Sequence, residues 1–118
     1  SPSPHPAARL HMSTIPLLAG AEHCIRKGVV SSLQPENLRS ARVVTDSAAM
    51  LARYGPAYQL LFDPQTAGGL LCTVPADKAR QAIDRLRSAG YIDAAVIGDV
   101  TVRGTSGSSL MDLVALQE

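Results

Sequence analysis

The chain is most tightly constrained by twelve consecutive residues, Leu60-Leu61-Phe62-Asp63-Pro64-Gln65-Thr66-Ala67-Gly68-Gly69-Leu70-Leu71. Pro64 fixes its own φ and pushes Asp63 toward an extended conformation, so the backbone has to bend here. Gly68 and Gly69 tolerate positive φ and let backbone or ligand approach where a side chain would forbid it. The run then passes into Cys72-Thr73-Val74, which reads as a strand covered on both faces and stopped by Pro75. Consecutive free N–H groups in such a bend form a concavity suited to an anion. Asp63, Gln65 and Thr66 would aim polar groups into the same space. A tight, glycine-relieved turn feeding a core strand is the plain alternative.

At 118 residues the chain is long enough for one domain with a modest core. Three Tyr, one Phe and no Trp leave that core to Leu, Val, Ile and Ala. A net charge of +1 argues against a nucleic-acid partner, which calls for a basic patch or stripe. No apolar stretch approaches bilayer length, so no membrane partner is expected. Cys24 and Cys72 match no metal or redox spacing and are expected to be reduced, buried and inert. A cytoplasmic location follows from these readings.

Residues 1–12 carry three prolines and no periodicity, and read as a flexible tail or a remnant foreign to the domain. His5 and His11 fall in that tail and are discounted as ligands. Leu17, Leu18, Ala21, Cys24 and Ile25 are spaced for one helix face over residues 17–27, with His23 turned to solvent and Gly28 terminating. Residues 29–45 look irregular, with 41–44 extended; Asn37 serves equally well as a turn residue. Asp46 or Ser47 caps a helix through Arg53, ended by Gly55-Pro56. Residues 57–62 fit a helical turn or a strand.

The strongest helix runs over 76–89, where Ala79, Ala82, Ile83 and Leu86 recur at i, i+3, i+4 and i+7 and Gly90 follows. Arg80, Arg85 and Arg87 line its other face, read as a solvated surface rather than a phosphate site. Residues 94–100 form a strand, 104–107 a turn and 110–116 a last strand. Strand, helix, strand implies a parallel crossover, and a short loop implies an antiparallel final pairing. The expectation is an α+β domain: a mixed sheet with helices packed on it.

The string Asp63-Pro64-Gln65-Thr66-Ala67-Gly68-Gly69-Leu70-Leu71 resembles the DPQTSGGLL segment of the selenophosphate synthetases (selenide, water dikinases), with Ala67 where that family usually has serine. Ile15-Pro16-Leu17-Leu18, Gly28 and Asn37 are similar to a region upstream of it in the family. Ala95-Val96-Ile97-Gly98-Asp99-Val100 resembles its closing segment, so the likeness covers about residues 13 to 103. It implies the later part of an incomplete C-terminal domain, residues 13–118. That domain is partly ferredoxin-like and belongs to the aminoimidazole ribonucleotide synthetase superfamily, whose members hold ATP between two domains.

The family makes selenophosphate, AMP and phosphate from ATP, selenide and water, with magnesium. Its reactive cysteine or selenocysteine, its lysine and its metal-binding aspartates lie in the first domain, and none of those motifs occurs in this sequence. The resemblance therefore implies no catalytic or metal residue in this chain. It implies a nucleotide-cleft role for Asp63, Gln65, Thr66, Gly68, Gly69 and Asn37. It also implies ATP and magnesium as cofactors of the complete enzyme but none bound to this piece, and an N-terminal ATP-binding domain as partner. A sheet lacking its first elements exposes an edge, so a homo-oligomer is expected. A member of the purine-pathway branch is disfavoured by Gln65 and Thr66. A free-standing ferredoxin-like ligand-sensing or oligomerisation module is the alternative from another functional class.

Overall fold

A computed structural model describes residues 5–65, 68–102 and 111–116. The elements in order are β1 (Pro6–Leu10), α1 (Ala21–Arg26), α2 (Gln34–Leu38), α3 (Ser47–Tyr54), α4 (Pro56–Leu60), β2 (Leu70–Pro75), α5 (Ala79–Ser88), β3 (Ala95–Val102) and β4 (Met111–Leu116). Single 3-10 turns lie at Met12–Thr14, Arg39–Val43 and Ala76–Lys78. The fold is α+β. The chain forms two compact units: Ser1–Pro16 with Gly68–Glu118, and the helical Leu17–Ala67 between them in sequence.

The first unit is a four-stranded sheet in the order β1-β3-β4-β2, antiparallel at every pairing. The expected parallel relation of β2 and β3 survives at one remove, because β4 inserts between them and runs against both. The result is a split strand-helix-strand arrangement, the ferredoxin-like part of the fold. A mixed sheet therefore gives way to an antiparallel one: β4 lies beside β3, in the slot the crossover leaves open. The turn expected at 104–107 lies outside the described residues.

Helix α5 forms as its spacing dictates. Ala79 and Ile83 are buried, Ala82 and Leu86 half-buried, and Gly90 at φ +106° closes the end. Its apolar stripe meets the sheet in a core of Ile83, Ala94 and Val114, flanked by Val74, Leu86, Tyr91 and Val96.

Two expectations about this unit are corrected. Residues 6–10, assigned to the tail, form β1 in register with β3 from Pro6↔Val102 to Leu10↔Gly98. Prolines suit an edge strand, where a missing N–H costs no ladder bond, and Pro6 is the first residue of one. Strand β2 was expected to be covered on both faces, yet Leu70 and Leu71 are 67% and 62% exposed. It lies at the sheet's other edge, so its apolar run has one neighbour instead of two.

In the helical unit the irregular span 29–45 contains α2 and a 3-10 turn, and residues 41–44 are not a strand. Pro35 sits in the first turn of α2, where the ring is tolerated. Helix α3 begins after Asp46, which adopts φ +55° and makes no side-chain cap. Ser47 does not cap either: its hydroxyl lies 2.6 Å from the Tyr58 hydroxyl. Gly55 at φ +49° redirects the chain and Pro56 starts α4, so residues 57–60 are helical and 61–62 form the turn that follows. Cys24 and Cys72 are free thiols, as expected, but exposed: α1 turns Cys24 away from buried Ile25, and Cys72 lies on the edge strand.

Candidate functional site

The bend at Asp63 is prepared by the end of α4. Leu61, Phe62 and Asp63 donate their N–H groups to the carbonyls of Tyr58, Gln59 and Leu60 at 3.2, 3.1 and 3.2 Å. These are the tightened i→i+3 bonds of a helix C-terminus. Tyr58 is buried and packs edge-on against Phe62, ring centroids 5.4 Å apart at 67°.

Helix α2 holds the same segment from another side. Gln34, 2% exposed, donates its Nε2 to the Gln59 carbonyl at 3.2 Å. Asn37, one turn on and half-buried, donates its Nδ2 to the Phe62 carbonyl at 3.1 Å. The Gln59 carbonyl thus accepts a second bond beside the one from the Phe62 N–H, while the Phe62 carbonyl lies past the helix end, where no backbone donor follows. The i, i+3 spacing of Gln34 and Asn37 places both amides on one face.

Asn37 and the residue before Asp63 are thus brought together, and the Asn37 side chain is spent on backbone. Asp63 is half-buried, and its carboxylate accepts no hydrogen bond and makes no ion pair among the described residues. Gln65 is exposed. Thr66 lies outside the described residues. Gly68 and Gly69, also exposed, belong to the sheet unit, so one of the two chain crossings between the units falls within this segment, the other being at Pro16–Leu17. Gln34 was missed by sequence reasoning. Its spacing to Asn37 was the available signal, masked by Pro35 between them, which read as loop punctuation.

Elsewhere in the sheet unit a cavity of about 480 Å³ is lined by Arg80, Asp84, Arg87 and Asp112 over Ala79, Ile83 and Val96. Arg87 turns its Nε to the Ala94 carbonyl at 3.1 Å. Arg80, Arg85 and Arg87 are exposed, as a solvated helix face requires. Among the described residues no three His, Cys, Asp or Glu side chains gather as a metal site. Asp63 offers a single carboxylate, and no step through a magnesium ion is assigned to the described residues. No helix among the described residues is long and apolar enough to cross a membrane.

No family model and no solved structure matches the chain. Curated proteins do. The selenide, water dikinase of Pseudomonas straminea is 32% identical over 92 residues, 78% of this chain and 25% of that protein. The one from Burkholderia orbicola is 34% identical over 93 residues, 79% of this chain and 26% of its own. The one from Pelobacter propionicus reaches 42% over a shorter 60 residues. By sequence the chain is similar to selenide, water dikinases over more than three-quarters of its own length, and it spans about a quarter of the length of the relatives it matches.

Proposed function

We propose that this chain is the later part of the C-terminal domain of a selenide, water dikinase. The complete enzyme would make selenophosphate from ATP, selenide and water, releasing AMP and phosphate, for selenocysteine and selenouridine synthesis. The observation that carries this reading is that dikinases match three-quarters of the chain at 30–34% identity.

In the complete enzyme the bend at residues 63–69 faces the nucleotide. Backbone N–H groups near Gly68 and Gly69 meet phosphate oxygens, and Gln65 and Thr66 add hydrogen bonds. Asn37 contributes indirectly: its bond to the Phe62 carbonyl sets the position from which Asp63 departs. Phosphoryl transfer depends on positioning and on charge stabilisation by metal and cations. Magnesium supplies that charge when bound, with ligands from the N-terminal ATP-binding domain. The chain by itself is therefore silent, and it works in the cytoplasm, where its two free thiols stay reduced. A second copy covers the uncharged outer edge of β2, where Leu70 and Leu71 are exposed.

The test is selenide-dependent AMP formation by the complete enzyme. Gly69→Val fills the space the backbone approach needs, and Asp63→Ala removes the carboxylate. Each is expected to slow turnover on the order of tenfold to a hundredfold. Wild-type rates in both variants would remove the functional case for the bend.

A further inference from the structure

Strand β1 buries little of itself: of its five residues only Ala7 is even half-buried. Its attachment to β3 must come from elsewhere. One source is Gly98, buried at the register position of Leu10, where any Cβ would overlap the Arg9 carbonyl oxygen. Another lies just beyond the strand. The His11 amide donates to the Ile97 carbonyl at 2.8 Å, and its Nε2 stands 3.3 Å from Asp99 Oδ2.

Asp99 is poorly provided for without that imidazole. Its side chain is 13% exposed, and Oδ1 is buried with no hydrogen-bond partner. Directly across β4 it faces Asp112, and like charges opposed on neighbouring strands repel. Arg9 opposes it from β1 but is exposed and makes no ion pair among the described residues. From α5, Arg80, Asp84 and Arg87 share the cavity with Asp112, and none of them pairs with Asp99. The imidazole is the one described partner of this carboxylate.

We propose that His11 and Asp99 form a proton-operated clasp that fastens β1 to the sheet. The protonated imidazole closes it and the neutral imidazole lets it open. The sign follows from charge: the protonated imidazole adds a Coulomb attraction to the carboxylate that the neutral ring lacks, so acid favours the fastened state. Loss of the imidazole's proton withdraws that attraction and leaves Asp99 facing Asp112. Opening bares the outer backbone edge of β3, a row of unpaired groups open to another strand. None of this depends on the dikinase reading.

Hydrogen exchange on the 118-residue chain tests it, with protection factors corrected for intrinsic rates at about pH 5.5 and about pH 8. In the wild-type chain, protection of the His11 and β1 amides is expected to fall about two- to fivefold at the higher pH, the worth of one partly exposed ion pair. Amides between β3 and β4 keep theirs. His11→Gln and Asp99→Asn should show the lower protection at both pH values. Equal wild-type protection at the two pH values overturns the clasp, as does an unchanged pH response in His11→Gln.

Discussion

Gln34 and Asn37 are the residues on which the geometry of the bend rests. Each amide donates to a backbone carbonyl at the end of α4, and Gln34 does so in nearly complete burial. Truncating Gln34 to alanine removes one of the two bonds to the Gln59 carbonyl and leaves the one from the Phe62 N–H, so Gln34→Ala should cost about 0.5–1.5 kcal/mol in urea unfolding. Asn37→Ala should cost less in stability, because the site is wetter. In the complete enzyme it should still lower selenide-dependent turnover, since it frees the peptide before Asp63. The same pair shows where single-residue reading stopped. Asn37 was visible as a residue of interest, but its partner lies 25 positions away, and no local pattern announces such a contact. Asp46 carried a capping signature and does not cap, because a positive φ turns its side chain away from the first helical amides.

Elements were legible where periodicity was strong. The stripe Ala79, Ala82, Ile83, Leu86 gave α5 within a turn of its true start, and β3 and β4 fell where apolar runs predicted them. Legibility failed where a strand's place in the sheet mattered. An apolar run reads alike at the centre and at an edge, which is why β2 was expected to be covered and is not. Strand β1 was hidden by prolines that an edge tolerates. Ile83 is the test of the α5 packing: Ile83→Ala removes a side chain held between Ala94 and Val114. It should destabilise the sheet unit by about 2–5 kcal/mol, read as lost protection in β3 and β4. Gly98→Val should release β1 while leaving β3 paired with β4, for a Cβ there collides with the Arg9 backbone.

At the scale of the whole molecule, the chain makes two compact units, Leu17–Ala67 being inserted in sequence between Ser1–Pro16 and Gly68–Glu118. The likeness to a known family was carried by the nine residues from Asp63 to Leu71, whose meaning lies in their order rather than in any hydrophobic period. That is why it was readable while the topology was not. The exposed edge of β2 has no charge to deter pairing. Light scattering at high concentration should therefore detect species heavier than one chain, and Leu70→Lys with Leu71→Lys should return it to one. A strictly monomeric wild-type chain would remove the second copy from the proposal.

Hydrogen exchange of the complete dikinase with and without saturating ATP tests most directly whether the bend lines a nucleotide site. Binding should slow exchange in the peptide spanning residues 63–71, at Gly68 and Gly69 above all. Unchanged exchange there, while peptides of the other domain respond to the same ATP, would contradict it.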